Sequence, residues 1–149
     1  MEFALSFELR YLLYVALLLL VIWLPYILAH IGQVGLVEAL SYRDEAPMPD
    51  WAKRLKGAHY NLVENFGPFA AVVIAAEILG VHTAATAACA AVFFWARLVH
   101  PVFMVTRIWG TRTAAFAVGW AATLVYAWLV LTAVAQPDVM QGALLLPSG

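Results

Sequence analysis

An all-α membrane protein, a bundle of four transmembrane helices, is the fold class that this 149-residue sequence predicts. Three observations carry that reading. Tyr11 to Ala29 is a run of nineteen residues without a charge, and similar stretches recur three more times. A hydrocarbon core about 30 Å thick needs roughly 20 apolar residues of helix at 1.5 Å each. The chain is 65% hydrophobic and 11% charged with a mean hydropathy of +0.88, whereas soluble domains carry about 25% charged residues. Alanine and glycine dominate the later stretches, as in Ala84 to Ala91, and small side chains let helix backbones approach closely in lipid.

The first helix is expected over 8–31, with a kink at Pro25, because proline removes one backbone donor. Its apolar run exceeds the 7–15 residues of a cleavable signal, and no small-x-small cleavage site follows. A polar stretch holding Arg43, Asp44, Glu45, Pro47, Pro49 and Asp50 reads as a loop outside the bilayer. The second helix is expected over 54–79, and Gly80-Val81-His82 forms a tight connection. The third covers 83–107, Trp109-Gly110 breaks the chain, and the fourth covers 111–135. Residues 1–135 thus form one transmembrane domain, followed by a short tail, 136–149. Trp23, Trp95, Trp109, Trp120 and Trp128 read as interfacial belt or packing, and the single cysteine, Cys89, as packing among alanines.

Charge sets the orientation. Arg43, Lys53, Arg54, Lys56, Arg107 and Arg112 fall at one face and Arg10 alone at the other. Positive residues stay cytoplasmic, so both termini are expected on the non-cytoplasmic side of a multi-pass protein, with a bacterial inner membrane as the expected location. A net charge of −1 and a pI near 6.4 give no electrostatic reason to expect nucleic acid. His30, His59 and His82 stand near span ends in no metal-binding spacing, so no metal site is expected. The chain has no GxSxG, no P-loop and no Ser/His/Asp set that would make a protein-borne nucleophile.

Ionisable residues inside the spans carry the functional information, since each costs at least about 2.5–3.5 kcal/mol on insertion scales. Asn61 and Glu64 share a face of the second helix; Arg97, His100 and Met104 share a face of the third; Arg112 and Thr113 open the fourth. Antiparallel neighbours place all of them at the cytoplasmic end. A Glu64–Arg97 ion pair is the expected compensation, while Glu77, at the opposite end, is expected to reach interfacial water. Such a pair serves equally well to fix helix register, and Glu64 could also carry a proton in a transporter, although no span shows the broken-helix pattern of carriers.

The run from Arg54 to Phe69, and above all its A-H-x-N-x-x-E core at Ala58, His59, Asn61 and Glu64 followed by Pro68-Phe69, resembles the signature of the MAPEG family. These are membrane-associated proteins of eicosanoid and glutathione metabolism, among them microsomal glutathione transferases. Ala96-Arg97-Leu98-Val99-His100-Pro101 and Arg112-Thr113 resemble the family's third- and fourth-helix motifs, and Gly32-Gln33-Val34 the end of its first. The resemblance spans about residues 10–135. It implies a homotrimer that binds glutathione between subunits near the cytoplasmic side and takes lipophilic small molecules from the bilayer.

Carried over by position, Asn61, Glu64, Arg97 and His100 would bind glutathione, Arg112 would stabilise its thiolate, and Thr113 would donate a hydroxyl. The implied activity is that of a transferase or peroxidase acting on lipophilic electrophiles or lipid hydroperoxides. The chain departs from the pattern at Gly35, where the family's glutathione-using prostaglandin synthase carries arginine, and at Tyr60, which replaces an arginine before the shared asparagine. It departs again at Met104, where many members carry tyrosine, and at Phe116, where another tyrosine is expected. Those four positions support the alternative: a non-catalytic relative that binds lipid or a membrane protein partner.

Overall fold

The computed structural model describes residues 5–41 and 47–135. Helix α1 runs Phe7–Ile22, with the Ser6 side chain accepting a hydrogen bond from Leu9 N as its cap. The expected kink is a break: α1 stops at Trp23, and α2, Leu24–Val34, starts with Pro25 in its first turn, where a missing N–H costs nothing. Gly35 (φ 82°, ψ 161°) separates α2 from a single turn, α3, Leu36–Ala39. Arg43, Asp44 and Glu45 of the expected loop lie outside the described residues, as does the tail 136–149.

Helix α4, Asp50–Leu79, is 30 residues and therefore about 45 Å long. It ends on Gly80 in the left-handed conformation, and a reciprocal Thr83–Thr86 capping box starts α5, Ala84–Thr106. Arg107, itself left-handed at φ 60°, closes α5 before α6, Thr111–Val134. Four spans long and apolar enough to cross a membrane result: α1 with α2, α4, α5 and α6.

Helices α4 and α5 form the middle of the bundle, each packing on both α1 and α6, and the α5–α6 contact is the most extensive. At the centre the rings of Phe69 and Phe93 stack 3.8 Å apart at 9°, both fully buried. Small residues at Ala76, Ala90 and Ala122 let the backbones close around Val15, Val73 and Tyr126. Only 22–28% of each span's apolar window is buried within the single chain, so lipid or other protein must cover the rest. Antiparallel connection of α4, α5 and α6 brings the first turns of α4, the last of α5 and the first of α6 to one end. Glu8, Glu77, His82 and Thr86 gather at the other.

Candidate functional site

Arg97 organises the end at which the charged motifs meet. Its side chain is only 1% exposed, yet no carboxylate among the described residues pairs with it. Nη1 donates to Asn61 Oδ1 at 2.9 Å and Nη2 to Asn65 Oδ1 at 3.0 Å. The guanidinium lies 5.1 Å from the Phe93 ring centroid and 5.3 Å from that of Phe116, two aromatic faces that attract a cation. Gly119 of α6 forms its floor: a Cβ there would stand 3.0 Å from Nε and 3.2 Å from Cζ. Two amides, two rings and one glycine thus replace the expected Glu64 partner.

Glu64 itself is exposed on the single chain and pairs with no cation among the described residues. The reason is angular. Asn61 and Asn65 are four residues apart and point together at α5, whereas Glu64 falls on the stripe of Lys56 and Tyr60, each four residues apart along the outer face of α4. Lys56 Nζ sits 5.7 Å above the Tyr60 ring, and Tyr60 is exposed.

Beside Arg97 a pocket of about 240 Å³ opens between α4, α5 and α6. Asn61, His100, Arg112 and Thr113 supply its polar groups; Gly57, Met104 and Phe116 complete the lining. His100 is buried in α5, one turn from Arg97, whereas Arg112 and Thr113 are exposed in the first turn of α6. Of the six residues singled out by motif, four therefore line one pocket. Arg97 stands behind it, holding Asn61 and Phe116, and Glu64 lies outside it on the adjacent face. Because Asn61 Oδ1 is occupied by Arg97, its amide nitrogen is left to donate to whatever enters.

Two neighbours of this site, and one contact elsewhere on α4, are not announced by the sequence motifs. Asn65 had a visible signal, a second polar residue four positions after Asn61 in an apolar span. Gly119 had only its presence in mid-helix, away from any turn. Tyr26 Oη and His59 Nδ1 are hydrogen-bonded at 2.9 Å, tying α2 to α4 across 33 residues of sequence, which no local pattern announces.

A second polar cluster occupies the opposite end. Glu8 is 3% exposed and accepts from Thr86 Oγ1 at 2.6 Å. Glu77 accepts from Ser6 Oγ at 2.5 Å, so it is engaged by the start of the chain rather than by water alone. His82 stands between them, Nδ1 3.5 Å from Glu8 and Nε2 3.9 Å from Glu77. No group of three potential metal ligands occurs among the described residues.

No curated protein and no solved structure matches the chain. The family model for MAPEG matches residues 11–132, which takes in all but the outer ends of the first and last spans and every residue of the pocket. With an all-helical fold of four membrane-crossing helices around it, the chain belongs to the MAPEG family.

Proposed function

We propose that this protein is a glutathione-dependent transferase or peroxidase of the microsomal type, acting on lipophilic electrophiles or lipid hydroperoxides. The observation that carries the reading is the convergence of Asn61, His100, Arg112 and Thr113 from three helices on one pocket at the end that the charge distribution makes cytoplasmic. The donor set fits the thiol-bearing half of the tripeptide: an amide N–H at Asn61 for a peptide carbonyl, and a guanidinium and hydroxyl at Arg112 and Thr113 for a sulfur anion. Lys56, one turn before Tyr60, brings a cation for a carboxylate where relatives carry arginine.

Bound there, glutathione supplies a thiol nucleophile and two-electron reductant. A thiol near pKa 8.5 is mostly protonated at neutral pH, and Arg112, being permanently charged, shifts that equilibrium toward the anion. Thr113 offers its hydroxyl to the same sulfur. Arg97 keeps Asn61 and Phe116 in place without entering the pocket. In a peroxidase turnover two thiols are oxidised to a disulfide while the hydroperoxide is reduced to an alcohol and water; in a transferase turnover a sulfur–carbon bond forms as the electrophile's leaving group departs.

The assembly is proposed as a homotrimer in the membrane, both termini non-cytoplasmic. Two features support more than one chain. About 240 Å³ falls below the roughly 300 Å³ at which small-molecule pockets usually begin, and a neighbouring chain would enlarge it. Glu64, midway along a spanning helix and exposed on the single chain, is costly against lipid and is relieved by a neighbouring subunit. Residues 1–135 form the transmembrane domain in this proposal, and the bacterial inner membrane is its site.

The test is glutathione binding to the detergent-solubilised protein, read together with thiolate ultraviolet absorbance. Saturable binding with a thiolate signal that disappears in Arg112→Ala, the oligomer staying intact, is the expected result. Absence of binding at millimolar glutathione sinks it. The non-catalytic reading then takes its place, favoured by Met104 and Phe116, which line the pocket with thioether and phenyl surface instead of hydroxyls.

A further inference from the structure

A larger cavity, of about 670 Å³, lies at the same end of the bundle and is lined by three arginines. Arg54 comes from the first turns of α4, Arg107 from the C-cap of α5 and Arg112 from the first turn of α6. No acidic side chain lines this cavity, and none of the three arginines is ion-paired among the described residues. Arg54 Nε is buried with no hydrogen-bond partner. Three guanidinium groups around one space repel one another until an anion enters.

An apolar groove of about 460 Å³ continues from the cavity along the outer face of α5 and α6. Phe103 and Ala114 border both spaces; Trp95, Val99 and Val118 line the groove further into the span. Trp109 stands at the cavity with 96% of its surface exposed, as an indole at a headgroup boundary does. A polar anion at the head and a hydrocarbon chain along the groove are therefore demanded of the same molecule.

We infer that the cavity and groove hold one anionic phospholipid of the bilayer, its phosphate on Arg54 and Arg107 and an acyl chain along α5 and α6. Several guanidiniums in one place suit a phosphate, whose oxygens accept from more than one arginine fork at a time, better than a single carboxylate. The source is at hand, because the face that gathers the positive charge adjoins the leaflet richest in anionic lipid. The site adjoins the proposed glutathione pocket: Met104, Arg112 and Thr113 border both spaces, and none of the three is assigned to the lipid.

The experiment compares lipid retention in native mass spectra of protein taken from bilayers of phosphatidylcholine and phosphatidylglycerol in equal amounts. A preference of about tenfold for phosphatidylglycerol is expected in the unmodified protein, falling to near parity in Arg54→Gln/Arg107→Gln. Ala114→Leu, which narrows the groove and leaves all three arginines, should lower phosphatidylglycerol retention as well, and it decides the matter if the double variant does not fold. Unchanged preference in the folded double variant, or unchanged phosphatidylglycerol retention in Ala114→Leu, overturns the inference. So does displacement of the lipid by inorganic phosphate alone, by oleate in its place, or a cross-link from Val99→Cys to a second copy showing the groove covered by protein. Glutathione binding measured on the same samples keeps the two readings apart, since lipid preference without glutathione binding fails only the latter.

Discussion

Among the described residues, Arg97 at one end of the bundle is buried with no anion beside it, and Glu8 at the other is buried with no arginine or lysine beside it. Arg97 is held by neutral groups that cannot titrate: two asparagine oxygens, two aromatic faces and the bare backbone of Gly119. Glu8 is held by a threonine hydroxyl and by His82, which is 38% exposed and attracts it fully only when protonated. A buried ion pair with a single partner is fragile, because losing one member strands the other. Distributing a charge over amides and rings avoids that dependence. The end proposed for chemistry thus has a rigid and permanently charged support, while the far end has an adjustable one.

That contrast can be broken experimentally. The largest effect is expected from Arg97→Ala, which leaves Asn61 and Asn65 unpaired and a void between Phe93 and Phe116. A loss of about 3 kcal/mol or more in denaturant unfolding in micelles follows from the cost of stranded buried polar groups. An unfolding midpoint equal to wild type would show that the cage carries no load.

Thr86→Val comes next. It removes the hydroxyl from a buried carboxylate and half of a capping box, for about 1–3 kcal/mol, and Glu8→Gln in the same chain should recover part of the loss. No recovery would mean that the cap, not Glu8, was the beneficiary. Gly119→Ala ought to be stabilising by about 1 kcal/mol on helix propensity alone. Here it is expected to destabilise by about 1 kcal/mol or more, since its methyl meets a guanidinium that two hydrogen bonds and two rings prevent from moving. A stabilised variant would sink the rigid-cage description. The smallest effect, below about 1 kcal/mol, belongs to His82→Gln, whose half-exposed contacts span 3.5 and 3.9 Å.

The four spans were legible because lipid imposes one rule that a sequence displays directly: about twenty residues without charge, with the exceptions meaningful. The meeting of Asn61, His100, Arg112 and Thr113 at one pocket was legible for a related reason, since short connections force antiparallel neighbours to share a depth. What the sequence concealed was direction around the helix. Glu64 lies one position before Asn65, and that single step of about 100° separates a residue facing α5 from one facing outward. Charge complementarity suggested the pair Glu64–Arg97; helix geometry selected Asn61 and Asn65 instead. Gly119 stayed hidden because a floor is recognised only when something rests on it, and Arg97 lies 22 residues away in another helix.

At Gly35, between α2 and α3, a Cβ would meet nothing within 4 Å. Room is therefore not what excludes a side chain. The backbone at φ 82° and ψ 161° lies in a region essentially reserved for glycine, at a cost of about 1–3 kcal/mol for any other residue. Gly35→Arg would deliver a cation here only at the cost of that strain in the turn connecting two helices. A cation for this part of the molecule therefore comes with least strain from elsewhere in the chain, at a position where the backbone already tolerates a side chain.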